Sequence, residues 1–217
     1  ILDRIIADLV EVMPKCKPGH ESLPNDNWQD KGRITRWAAW CLLADIYLWD
    51  GQYQNAKDAC DEVIKTGKFS LVDKDNWFTL FSKGNTQESI LELQFRNGYG
   101  LQNSLYDWFY GSTDNKSRYI ISERSLNLFQ EYITIDLRGF GATIISKDDS
   151  RIWKYVGTGI NGEGGVPRST SQRDANWIFY RYADILLMKA EATVLLGEDN
   201  FDYAYEAVKE LRDRAGY

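Results

Sequence analysis

Along residues 40 to 67, "WCLLADIYLWDGQYQNAKDACDEVIKTG", apolar positions recur every three or four residues on both sides of Gly51. That is the periodicity of two amphipathic helices joined by a tight turn. Trp40, Ala44 and Tyr47 share one face of the first helix, and Tyr53, Ala56, Cys60 and Val63 share one face of the return helix. Near the C-terminus, Leu186, Ala190, Thr193 and Gly197 repeat the first spacing, and Phe201, Ala204, Val208 and Leu211 repeat the second after two extra turn residues. The order of large, small, aromatic and turn positions is that of tetratricopeptide helix pairs, in which small residues let two backbones approach. A third helix is predicted at the start, where Ile1, Leu2, Ile5, Ile6, Leu9, Val10 and Met13 follow helical spacing. One helix pair cannot bury all of these positions by itself, so the N-terminal helix and the second pair are expected to cover the first.

The stretch between the pairs has a different pattern. Glu88 to Phe95 reads as a buried strand, and Ser122 to Tyr132 as a capped helix with Leu126, Phe129 and Ile133 on one side. From Gly139 to Asn176 the chain is rich in Gly, Ser and Asp, with a short strand expected near Arg151 to Val156. The expected fold is mainly α: tetratricopeptide-like helix pairs forming an α-helical scaffold from residues 1–70 and 177–217. A long loop-rich insertion containing short strands, about 71–176, is expected to face the ligand. The whole is read as a single domain.

Composition narrows the function classes. With 217 residues and 43% hydrophobic content the chain can build a sizeable core. Its net charge of −6, without a run of clustered Lys and Arg, argues against a nucleic-acid partner. The longest largely apolar stretch, Ala38 to Trp49, is interrupted by Asp45 and is too short to span a bilayer. Cys16, Cys41 and Cys60 lack C-x-x-C spacing, and Cys41 and Cys60 are expected in the core. His20 is the only histidine, in a Pro-flanked loop where it is read as solvated, so schemes that need a second imidazole fail.

Four apparent motifs dissolve on inspection. Gly157, Gly159 and Gly162 satisfy G-x-G-x-x-G, but Gly164, Gly165 and Pro167 stand where a helix must begin, which predicts a flexible loop. Asp73, Asp75 and Asn76 open like a calcium loop, yet Phe78 and Gly84 occupy the positions that require Gly and an acid. Asp148 and Asp149, flanked by Lys147 and Ser150, read as solvated rather than as a glycosidase pair. Asn115-Lys116-Ser117 is a formal glycosylation sequon, a short match that carries no chemistry by itself. No catalytic set, metal site or cofactor is expected, which favours binding over an enzyme.

Aromatic residues make up 14% of the chain, enough to ask which of them face solvent. Trp37, Trp40, Tyr47, Trp49 and Tyr53 lie on the first helix pair, and packing accounts for them. The segment from Asn97 to Asn115 is different. It sets Tyr99, Tyr106, Trp108, Phe109 and Tyr110 outside any clear helical period, beside Gln102, Asn103 and Asp107. Rings of this kind stack on the apolar faces of sugars while amides and acids meet the hydroxyls. A loop folding those rings inward is the equal alternative. Trp153 and Tyr155 are secondary candidates, which a sheet edge would bury.

Several stretches together resemble one family. "GRITRWAAWCLLADIYLWDGQYQNAKDACDEVIKTGKFSL", Gly32 to Leu71, resembles the first helix pair of SusD/RagB-like outer-membrane nutrient-binding lipoproteins. "QESILELQF" resembles the segment after it, and "FQEYITIDLRG" resembles the family's helix ending in Asp-x-Arg. "YRYADILLMKAEATVLLG" with "AVKELRDRAGY" resembles the last helix and its partner. The resemblance runs through nearly the whole chain. The family's lipoprotein signal with its acylated cysteine and the usual region after the last pair do not appear, which implies a fragment of a protein about twice as long.

The resemblance implies polysaccharide utilisation in Bacteroidetes. The expected role is cell-surface binding of oligosaccharide or polysaccharide and delivery to a SusC-like TonB-dependent transporter for import, from a lipid anchor in the outer membrane. The alternative reading is a tetratricopeptide-type scaffold recognising a peptide or protein, including peptide uptake as in RagB-like relatives.

Overall fold

The structure, a computed structural model, describes residues 1–20, 27–111, 117–132, 136–197 and 201–216. Ile133, Asn115 and Lys116, singled out above, lie outside the described residues. The elements in chain order are α1 (Leu2–Val12), α2 (Trp28–Gly32), α3 (Arg36–Trp49), α4 (Tyr53–Ile64), α5 (Thr79–Ser82) and β1 (Ser89–Leu93). Then come α6 (Leu105–Phe109), α7 (Glu123–Tyr132), β2 (Ile144–Ser146), β3 (Asp149–Ile152), β4 (Trp177–Arg181), α8 (Tyr182–Leu195) and α9 (Phe201–Ala215). The chain forms two compact units, the first from Ile1–Leu71, Gln87–Glu92 and Ile178–Arg212, the second from Val72–Thr86, Leu93–Trp177 and Asp213–Tyr217.

The first unit is helical, and its local signals agree with its packing. Thr35 caps α3 by accepting the Ala38 N–H on its hydroxyl at 3.3 Å. The helix ends in a Schellman turn: Gly51 takes φ +73°, its N–H reaches the Leu48 carbonyl at 3.2 Å, and the Gln52 N–H reaches Tyr47 at 2.8 Å. Helix α4 returns against α3, and α8 packs on α4 and touches α3. Where they meet, Ala38, Cys41 and Ala44 of α3 adjoin Ala59, Cys60 and Val63 of α4, Ile185 of α8 and Ile90 of β1, all buried. Alanine and cysteine fill this seam because any longer side chain would push the helix axes apart. Burial pushes the Cys41 thiol well up and the Cys60 thiol to about 12, so both stay protonated.

Helix α1 lays Ile6 and Leu9 on Ala39 and Leu43 of α3, joined by Met13 from the single tight turn Met13–Lys15 that follows and contains Pro14. The first helix pair is therefore covered as expected, by α1 and by α8. An ion pair reinforces the second contact. Lys189 of α8 reaches Asp61 of α4 at 2.6 Å, Lys57 approaches the same carboxylate at 3.2 Å, and the Lys189 ammonium sits 3.9 Å from the centroid of the Tyr203 ring of α9. Burial alone would raise the Asp61 pKa, but hydrogen bonds from Lys189 and Lys57 outweigh it and hold the carboxyl below its usual range.

Four expectations change here. Trp49, assigned above to packing, is 82% exposed at the end of α3. In α9 the inward face is Ala204, Ala207 and Leu211, so Phe201 and Val208 of the repeat spacing are exposed. Small alanines win that face because α9 lies close against Ala190 and the Tyr203 ring flanks the contact. Residues Trp177–Arg181, placed above in the helical scaffold, form strand β4 paired with β1. The helix starts only after Arg181, whose N–H donates to the Asp184 carboxylate at 3.0 Å. His20, read as solvated, is half-buried, with its backbone N–H donating to Asp30.

The second unit is built on aromatic residues and short segments. Trp77, Phe78 and Phe81 meet edge to face around α5, and Phe81 meets Tyr155 in the same way at 5.3 Å. Strands β2 and β3 form an antiparallel ladder with Ile144 opposite Ile152 and Ser146 opposite Asp149. The glycine run is not the loose loop expected above. Thr158 donates its N–H to Val166 at 2.9 Å, Arg168 donates to Val156 at 2.9 Å, and Gly157 lies so close to the Trp153 indole that a Cβ would overlap it. Gly157 and Gly159 serve Trp153, which is buried and donates its indole N–H to the Gly159 carbonyl at 2.8 Å.

Candidate functional site

The aromatic segment lies in the second unit, and its backbone explains which rings face out. Arg96 and Leu101 exchange N–H···O bonds of 2.8 and 3.1 Å, closing a turn through Gly100 at φ +70°. Tyr99 sits at its tip, 74% exposed, with the Arg96 guanidinium 5.5 Å from the ring centroid. Beyond the turn, Asn103 donates its amide to the Ala175 carbonyl at 2.8 Å and accepts the Leu105 N–H at 3.0 Å. That bond starts α6, a short helix where no helical period was expected.

Helix α6 sorts the candidates. Tyr106 is buried, 5.3 Å from the Tyr110 ring and 5.8 Å from the Arg173 guanidinium. The Arg151 guanidinium lies 4.2 Å from the Tyr110 ring centroid, and Trp153 lies edge-on to that ring at 6.2 Å. Tyr106 is therefore a packing residue, not a presented ring, because the guanidiniums of Arg151 and Arg173 draw these rings into the unit. Phe109 and Tyr110 are half-buried. Trp108, on the opposite side, is 38% exposed.

The polar candidates have partners within the fold. Asp107 is held by Arg173 at 2.6 Å, leaving its Oδ1 without a hydrogen bond. Gln102 donates to the Ser171 carbonyl at 3.2 Å and to the Asn97 side chain. Asn103 is committed to Ala175 and Leu105, as described.

One ring escaped the sequence reading. Arg118 and Tyr119 both donate their N–H groups to the Trp108 carbonyl, at 2.8 and 2.9 Å, which brings Tyr119 edge-on to Trp108 at 6.3 Å. Tyr119 is 58% exposed and Ile120 beside it is exposed too. Of the secondary candidates, Trp153 is buried, whereas Tyr155 at φ +65° stacks on Trp177, with centroids 5.2 Å apart and planes 24° apart. Trp177, placed by the sequence at the start of the helical scaffold, was not among the candidate rings.

The acids dismissed above are engaged. Asp149 accepts a fork from Arg151 at 2.9 and 2.6 Å, and that hydrogen bonding holds its carboxyl below the usual range, the reverse of what a general acid requires. Asp136 and Arg138, the Asp-x-Arg of the sequence, make the same fork at 2.9 Å. Asp73 accepts the Asn76 N–H at 2.9 Å, which closes a local turn. The site thus offers exposed rings, Tyr99 beside Arg96 and Trp108 edge-on to Tyr119, an arrangement suited to holding a ligand by stacking. Among the described residues, no helix is long and apolar enough to cross a membrane.

Comparison with known proteins finds a family match over part of the chain and shared folds over nearly all of it. Residues 139–217 match the model of the SusD family. The fold of the chain matches a SusD superfamily protein from Bacteroides thetaiotaomicron VPI-5482 with a TM-score of 0.71 at 19% identity, over 99% of this chain and 47% of that one. A SusD superfamily protein from Bacteroides vulgatus ATCC 8482 matches with a TM-score of 0.71 at 20% identity, over 99% and 46%. A surface glycan-binding protein A from Bacteroides thetaiotaomicron, solved in complex with laminarihexaose, matches with a TM-score of 0.66 at 20% identity, over 99% and 54%. The chain thus spans about half the length of these solved relatives. No curated protein matches it.

Proposed function

We propose that this SusD-like chain captures oligosaccharide or polysaccharide at a cell surface and passes it to a SusC-like TonB-dependent transporter, without covalent chemistry of its own. In this reading the full-length protein is held at the outer membrane by a lipid anchor. The observation that carries it is a fold shared across nearly the whole chain with a surface protein solved with laminarihexaose. Carbohydrate binding by stacking is further supported by the exposed rings of the second unit.

The proposed platform is Trp108 with Tyr119, with Tyr99 and the half-buried Phe109 on the same segment. Each ring stacked on a sugar is worth about 0.5–1.5 kcal/mol beyond its buried area. Removing both Trp108 and Tyr119 should therefore weaken binding about tenfold. Affinity electrophoresis in gels containing laminarin, with xylan, mannan and starch in parallel, tests this. Retention of the wild type in one gel and its loss in the W108A/Y119A variant is expected. Equal retention of both proteins would discard this platform, and new reducing ends after incubation would overturn capture without chemistry.

A further inference from the structure

The first unit contains a small pocket that the reading above does not use. It has a volume of about 160 Å³ and is lined by Pro18, Asp30, Lys31, Thr35, Trp37, Lys68 and Phe69. That is well below the roughly 300–1,000 Å³ of pockets for drug-sized molecules, so it admits one small ring at most. Two of its walls are aromatic and two of its polar groups are ammoniums. Lys31 is 7% exposed, unusual for a lysine, and its ammonium lies 4.8 Å from the Phe69 ring centroid. It donates to the Ser89 carbonyl at 2.6 Å. Lys68 stands at the rim, 5.7 Å from the Trp37 centroid, and donates to the Pro18 carbonyl at 3.2 Å. Each ammonium carries three donors, and one of each is used in these bonds.

The pocket's charges are unequal. Two ammoniums face one lining carboxylate, and that carboxylate, Asp30, already accepts the His20 backbone N–H. Buried Glu92 also acts on Lys31 from outside the lining. Burial dominates the Lys31 ammonium and lowers its pKa to about 8, against the attraction of Glu92 and Asp30 and with the repulsion of Lys68. An anion placed between the two lysines would remove both the repulsion and part of the burial cost. Neutral sugars have nothing to offer these groups that water lacks.

We propose that this pocket binds the carboxylate of a small acidic ring, with Lys31 and Lys68 as the charge-assisted donors and the Trp37 and Phe69 faces against the ring. Charge-assisted hydrogen bonds are about twice as strong as neutral ones, so the carboxylate supplies most of the selectivity. A hexuronic acid has this chemistry. The proposal stands apart from the ring platform of the second unit and survives its failure.

Calorimetry and ligand-observed NMR with glucuronate, glucose and acetate test it, using the intact chain. Glucuronate is expected to bind with proton uptake near pH 8, because an anion raises the Lys31 pKa, and glucose is expected not to bind. Lys68→Gln, at the exposed rim where folding is undisturbed, should weaken glucuronate at least tenfold, as should Lys31→Met. The W108A/Y119A variant should bind glucuronate like the wild type. Equal affinity for glucose and glucuronate, or unchanged affinity in Lys68→Gln, would overturn the proposal. Acetate binding as tightly as glucuronate would discard the ring contact and overturn the assigned ligand class.

Discussion

At the scale of single residues, Lys31 has the sharpest measurable consequence. Its ordinary pKa is 10.5, and burial lowers it to about 8 in the folded chain. Between those values the unfolded chain holds a proton that the folded chain has released, so stability rises as pH climbs from about 8 towards 10.5. The full effect is on the order of 3 kcal/mol at the top of that window, and it is absent below pH 8, where both states are charged. Urea melts of the wild type and Lys31→Met at pH 7.5 and pH 10 should show the gain in the wild type only. An identical pH response in both proteins would place the ammonium in water. The asymmetry arises because Lys31 is anchored to a backbone carbonyl under an aromatic face, where its charge is poorly solvated.

At the scale of elements, the helix pair depends on the turn at Gly51 as much as on its seam. A side chain at φ +73° costs about 1–2 kcal/mol, since Cβ meets the following carbonyl. Gly51→Ala should therefore lower stability by about 1 kcal/mol, whereas Gly98→Ala, which meets open space, should change it by less than about 0.5 kcal/mol. Thermal melts of the two variants check this, and equal midpoints would mean the Schellman turn contributes nothing. The helix pairs were legible because burial imposes a 3.6-residue period on local sequence, and the hydrogen-bonded start of α3 at Thr35 follows the same local logic. The inward face of α9 was not, because Phe201 and Val208 satisfy the period as well as Ala207 does, and only the close approach of α8 selects the alanine.

At the scale of the whole molecule, two units each carry their own core: one of small aliphatic side chains between helices, the other of aromatic rings and short strands. The chain as a whole carries a net charge of −6. A polyanion as large as DNA meets long-range repulsion that a single uronate in a pocket barely feels, since screening confines its interaction to its neighbours. Duplex DNA should accordingly cause no mobility shift at 0.15 M salt. A retarded band would point to a basic surface that the sequence lacks.

The helical scaffold, the strand at Ile90, the buried cysteines and the family resemblance all follow from runs of neighbouring residues, and these the amino-acid sequence determined by itself. Local periodicity and turn chemistry are properties of a short stretch of chain. Which rings face solvent was decided only by the tertiary structure. Tyr106 and Tyr110 turn inward because Arg173 and Arg151, far along the chain, lie over them, and Tyr119 joins Trp108 through backbone hydrogen bonds from Arg118 and Tyr119 to the Trp108 carbonyl. The buried lysine beside Phe69 has the same origin: its partner carbonyl belongs to Ser89, 58 positions away. Contacts at such separations leave no period in the sequence, so burial and pairing there appear only once the chain has folded.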